Sequence, residues 1–133
     1  MRIAVLLGLA AGTLLPASGR AADWTPPAWA GVSTLELRTT AAGEAAHWSP
    51  LWLVVVDDQL YVRLGSRAAG RVDRNTTTPI VGVRIAGRQF DRVRGEPVPE
   101  MAGRVAEAMA AKYWFDLLVR HVDHPLTLRL VAE

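Results

Sequence analysis

The segment that most constrains this chain is a pair of apolar runs split by two acids. Leu51-Trp52-Leu53-Val54-Val55-Val56 is unbroken by any polar residue. Asp57 and Asp58 interrupt it, and Leu60-Tyr61-Val62-Arg63-Leu64 resumes it. β-Branched and aromatic residues on either side of a short polar break read as a β-hairpin, with its turn near Asp57–Gln59. The first of these strands is apolar on both faces. It must be covered on both, either in a barrel wall or beneath a helix.

The rest of the chain follows the same grammar. Asp23 to Gly31 carries Trp24, Trp29, Pro26 and Pro27, an irregular lead-in packed by its tryptophans. Ser33 to Thr40 alternates, with Leu35 and Leu37 opposite Glu36 and Arg38, as a half-buried strand does. Ala41 to Ser49 reads as a loop. Gly65 to Thr78 is polar and basic, with room for a short helix. Pro79 to Ala86 and Gln89 to Arg94 form a second hairpin around Gly87–Arg88. Pro99 and Glu100 suit a helix start, and Met101, Val105, Ala108, Met109, Lys112 and Tyr113 recur at helical spacing. Phe115 to Val122 is able to extend that helix, and Pro125 ends it. Thr127 to Val131 is a last strand. Hairpins dominate, so the sheet is mainly antiparallel. Six strands with one or two helices predict a small closed barrel rather than a sandwich.

The 133 residues suffice for one domain with a real core. There is no cysteine, which excludes disulfides, thiolate nucleophiles and Cys-based metal sites. Arg2, the apolar run Ile3–Leu15 and the small residues up to Ala22 read as a secretory signal, residues 1–22, ahead of a single domain at 23–133. Two cuts fit, after Gly19 or after Ala21. The apolar run is shorter than the roughly 20 residues of a spanning helix, so no stable membrane anchor remains after cleavage. The expected location is the periplasm or the outside of the cell. The formal charge of +2 disappears when Arg2 and Arg20 leave, which removes the general case for a nucleic-acid partner.

Several stretches resemble the split β-barrel superfamily that includes the pyridoxamine phosphate oxidases and the deazaflavin-dependent nitroreductases. They are Leu37-Arg38-Thr39-Thr40 with Gly43, Pro50 to Asp58, Leu60-Tyr61-Val62-Arg63, Arg71 to Asn75 with Pro79, Val83 to Phe90, and Ala111-Lys112-Tyr113. The likeness runs from Ser33 to Val131 and is closest to a little-characterised exported branch. It implies a six-stranded antiparallel split barrel, a homodimer, and a cofactor that is FMN, a deazaflavin or, in some members, haem. Flavin-binding members hold the phosphate on the strand after the central hairpin turn and on the loop that follows. The matching positions here are Arg63, Ser66, Arg67, Arg71 and Arg74, with Trp52 on the facing strand to line the ring. Guanidinium forks and a hydroxyl converging on one anion are what a phosphate needs. An arginine-rich solvated loop would carry the same residues without that role.

Two departures stand against the cofactor. Ala41 to His47 lacks the basic element that many deazaflavin-binding relatives carry there, and position 72 is Val where the branch often has an aromatic. Export adds a third, because a chain secreted unfolded must find its cofactor outside the cytoplasm. Two functions therefore stand side by side: an exported flavin- or deazaflavin-dependent oxidoreductase of unknown substrate, and a cofactor-free barrel that binds or interacts.

The other constellations carry plainer readings. His121-Val122-Asp123-His124, with Asp116 or His47, offers metal or haem ligands, but Pro125 places it at a helix end where such residues cap or face water. Asp57 and Asp58 are adjacent turn residues and point apart. Asn75-Thr76-Thr77 fits a glycosylation sequon. No serine has a nucleophile-elbow context, and no catalytic residue is assigned.

Overall fold

The computed structural model describes residues 15–113 and 124–133. Its strands are β1 (Ala17–Ser18), β2 (Thr34–Thr39), β3 (His47–Val56), β4 (Gln59–Leu64), β5 (Ile80–Ile85), β6 (Arg88–Pro97) and β7 (Leu126–Ala132). Helix α1 spans Ser66–Asp73 and α2 spans Ala102–Lys112. The fold is mainly antiparallel β. Strands β2, β3, β4, β7, β6 and β5 pair in that cyclic order and close a six-stranded barrel.

The closure follows from the side-chain alternation. Leu35 and Leu37, Leu51 and Leu53, Leu60, Val62 and Leu64, Val81, Val83 and Ile85, and Leu128 and Leu130 all point into the barrel. Each such side chain contributes about 1.5–3 kcal/mol when removed from water. Trp24, Trp29 and Phe90 meet edge to face, with centroids 4.9–5.9 Å apart, and pack against this core. The lead-in is thus packed by its tryptophans, as its composition predicts.

The second apolar face of β3 is also explained. Val54 on β3 and Tyr61 on β4 face outward and are buried under Val105, Met109 and Tyr113 of the α2 region. A strand apolar on both sides therefore serves two cores, one inside the barrel and one beneath a helix.

Both tight hairpins turn through left-handed backbone at both corners: Asp57 and Asp58 have φ 50° and 61°, and Ala86 and Gly87 have φ 49° and 75°. Such turns match the twist of the flanking strands. The second corner is Ala86–Gly87, one residue earlier than the Gly87–Arg88 signal, and Arg88 already belongs to β6.

Two strands are longer than their local pattern. β3 begins at His47, not Leu51, because His47 to Pro50 pair with Thr39 to Glu36 of β2. β6 continues past Arg94 to Pro97 because its second half pairs with β7 while its first half pairs with β5. Nonlocal partners impose both extensions.

Residues read above as the end of a leader lie along the barrel. Ala17 and Ser18 pair in parallel with Arg88 and Gln89. The Ala17 and Gly19 N–H groups donate to the Gly87 and Gln89 carbonyls at 3.1 and 2.8 Å. Gly19 sits so close to the Phe90 ring that a Cβ would come within 2.5 Å of it. Most of the Ile3–Leu15 run lies outside the described residues, as do Trp114, Asp116, His121 and the expected extension of α2. No helix among the described residues is long and apolar enough to cross a membrane.

Candidate functional site

The outer faces of β3 and β4, the end of α2 and the residue before β7 enclose a cleft of about 300 Å³. Among the described residues, Trp52, Arg63, Gly65, Met109 and His124 line it. Each arrives for a local reason. Trp52 and Arg63 occupy outward positions on adjacent antiparallel strands. Gly65 follows β4 and is the N-cap residue of α1, its φ of −69° and ψ of 171° turning the chain into the helix. Met109 sits on the buried stripe of α2. His124 falls two residues before β7, which pairs with β4 so that Leu126 lies opposite Leu64.

A polar lock holds the end of α2 against the barrel. The Lys112 ammonium donates to the Val32 and Leu53 carbonyls at 2.5 and 3.0 Å. The Tyr113 hydroxyl lies 2.6 Å from the Ser33 and Leu53 carbonyls and accepts from the Leu53 N–H at 3.3 Å. Burial lowers the Lys112 pKa below its usual value. It raises that of Tyr113, which the backbone bond to Leu53 partly offsets. The fixed Tyr113 ring stacks on Trp52 at 5.2 Å.

The six residues predicted for the site separate into three places. Trp52 and Arg63 face the cleft. Ser66 and Arg67 are exposed on the first turn of α1. Arg71 and Arg74, at the other end of α1, line a shallow groove with Thr39, Glu44 and His47. His124 joins the cleft through a 3.4 Å contact between its Nδ1 and the Arg63 guanidinium. It was legible in the sequence as a metal or haem candidate, not as a neighbour of Arg63. Gly65 and Met109 carried no signal beyond turn and core.

Outside the cleft, Trp48 lies under two arginines, with Arg84 3.8 Å and Arg38 5.3 Å from its ring centroid. Arg38 pairs with Asp91 at 3.1 Å. Hydrogen bonding from Gln89, helped by Arg38, lowers the Asp91 pKa. Asp57 pairs with Arg104 at 2.9 Å in its exposed turn. Among the described residues, no three His, Asp or Glu side chains gather as a metal set.

A closed six-stranded barrel with a helix on one outer face is the split-barrel architecture. Two solved structures share it. The haem storage protein HutZ from Vibrio cholerae superposes with a TM-score of 0.55 at 17% identity, over 76% of this chain and 82% of that one. The conserved hypothetical protein Rv2991 from Mycobacterium tuberculosis gives 0.52 at 16% identity, over 80% and 77%. At these identities the likeness is one of fold. No protein-family model and no curated protein sequence matches the chain.

Proposed function

We propose that this protein is an exported split barrel that binds a planar, anionic cofactor of the flavin type, FMN or a deazaflavin, in the Trp52–Arg63 cleft. One observation carries the reading: an aromatic plane and a guanidinium on neighbouring strands line the same cleft. The donor chemistry fits the group. Trp52 offers a ring face, Met109 an apolar wall, and Arg63 a fork suited to phosphate or carboxylate. A bound flavin would supply hydride transfer, and these side chains would orient it. The resemblance in sequence adds an oxidoreductase-like activity, a homodimer, and a periplasmic or secreted location.

A second reading, haem binding, is favoured by His124, whose imidazole lines the same cleft. The haem storage role of HutZ, a neighbour in fold, points the same way.

Absorbance and fluorescence titrations of the purified protein with FMN, a deazaflavin and haemin, checked by native mass spectrometry, test both. The flavin reading expects tight FMN or deazaflavin binding that Arg63→Ala weakens about tenfold, the worth of one charged hydrogen bond. A Soret band that depends on His124 supports the haem reading instead. If the protein binds none of the three, the barrel is a cofactor-free interaction module and the cleft assignment falls.

A further inference from the structure

We infer that residues 17–22 stay with the barrel in the mature protein, so that neither the Gly19–Arg20 bond nor the Ala21–Ala22 bond is where a leader is released. Any processing then falls before Ala17. The barrel sets this boundary, whatever the cleft binds.

Strand β6 leaves an edge that its neighbours do not reach. On one side β5 pairs with it from Arg88 to Arg94. On the other, among the described residues, β7 pairs only with Val93 to Pro97, and the Glu133 N–H reaches the Arg92 carbonyl. Residues 88–91 would otherwise carry open backbone groups, and a bare edge invites pairing with other chains. β1 fills the start of that edge. Ala17 and Ser18 run parallel to Arg88 and Gln89. The Gly87 and Gln89 carbonyls accept from the Ala17 and Gly19 N–H groups.

The side chains match the docking. Phe90 is buried, and Trp24 and Trp29 meet its ring edge to face. The Gly19 backbone closes another side of that ring. A Cβ at Gly19 would come within 2.5–2.7 Å of three ring carbons, and the two tryptophans leave the ring little room to yield. A signal peptidase asks only for a small residue here, and alanine would serve it. The Phe90 ring excludes even alanine, so the glycine answers to the barrel.

The next turn faces the same strand. The Arg20 N–H donates to Asp23 Oδ2 at 3.0 Å, and the Asp23 N–H donates to the Arg20 carbonyl at 2.8 Å. The Asp23 carboxylate lies 3.7 Å from the Arg88 guanidinium. That ion pair is exposed and adds little by itself, but it seats the turn on β6. A cut after Gly19 strips β1 from the edge and one wall from Phe90. A cut after Ala21 removes the Arg20 half of the turn as well.

Two measurements on the full chain test this. In the first, the chain is expressed in a bacterium with general secretion, and the folded protein is characterised by intact mass and N-terminal sequencing. A start at or before Ala17 is expected. A start at any residue beyond Ala17, Arg20 and Ala22 included, overturns the inference.

A host that leaves the leader uncut would give the expected start regardless, so the second measurement asks whether the segment belongs to the fold. The Ala17 and Gly19 amides should exchange hydrogen at least about tenfold more slowly than an open chain. Gly19→Val should lower the thermal midpoint by about 5 °C or more, from overpacking against Phe90. Ser18→Val places the same bulk one residue earlier at an exposed position and should move it by less than about 2 °C. In a Phe90→Leu background the Gly19→Val loss should shrink, because the two sites are in contact. Should Gly19→Val fail to fold, Gly19→Ala gives the milder loss. Free exchange at both amides, or an unchanged midpoint in Gly19→Val, overturns the inference even where the leader is uncut.

Discussion

The indole of Trp52 lies nearly flat on the phenol ring of Tyr113, with centroids 5.2 Å apart and planes 19° from parallel. The Tyr113 hydroxyl ties that ring to the Ser33 and Leu53 backbone. The wall of the cleft is thus braced from the end of α2. Tyr113→Phe keeps the stack and removes the hydroxyl bonds. It should cost about 1–2 kcal/mol in urea titration, the usual loss for a buried hydrogen bond, and leave the near-UV circular dichroism of the tryptophans in place. Tyr113→Leu removes the stack as well. It should cost more and change that spectrum.

The same hydroxyl gives stability a pH dependence. Burial raises the folded-state pKa of Tyr113 above the ordinary 10.0. As pH rises through that value the unfolded phenol ionises first, so the unfolded chain binds fewer protons and stability falls. Lys112 acts in the opposite sense: burial lowers its folded-state pKa below 10.5, so the unfolded chain binds more protons just below that value and stability rises there. Urea midpoints measured across the alkaline range should therefore decline above pH 10.0 in wild type. Tyr113→Phe should flatten that decline, whereas Lys112→Met should leave it and remove the rise that precedes it. A decline of equal depth in Tyr113→Phe would assign it to other groups.

The sequence declared the barrel more fully than the site. Leu51–Val56 is apolar on both faces because it faces two cores, and that is visible without coordinates. The start of β3 at His47 and the end of β6 at Pro97 were not, because each depends on a partner strand distant in the chain. The arginines illustrate the harder problem. Arg63, Arg67, Arg71 and Arg74 are close in sequence, but β4 ends at Leu64 and α1 begins at Ser66. A change from strand to helix rotates successive side chains to different directions. His124 reached Arg63 only through the register of β7 on β4, which pairs Arg63 with Thr127. No local spacing encodes that.

Ala86 offers a test of the turns. It holds φ 49°, a left-handed conformation that costs an L-residue with a Cβ roughly 1–2 kcal/mol. Its side chain is exposed, so substitution disturbs no packing. Ala86→Gly relieves the strain and costs some unfolded-state entropy. A net gain of about 0.5–1 kcal/mol is expected, read as a raised thermal midpoint. Ala86→Val should lower the midpoint. Equal midpoints for all three would show that the corner does not hold this conformation in solution.

The last prediction separates two arginine clusters that the sequence joins. Arg63 faces the cleft with Trp52, while Arg71 and Arg74 face the groove beside His47 and Glu44. A phosphate arm bound beside Trp52 should therefore depend on Arg63 alone. Arg63→Ala should weaken FMN about tenfold and riboflavin, which lacks the phosphate, hardly at all. Arg71→Ala and Arg74→Ala should each change FMN affinity by less than about threefold, because neither lines the Trp52 cleft. The contrast between FMN and riboflavin isolates the phosphate from the ring. If Arg71→Ala abolishes the contrast and Arg63→Ala does not, the phosphate lies in the Thr39–His47 groove and Trp52 does not stack on the ring.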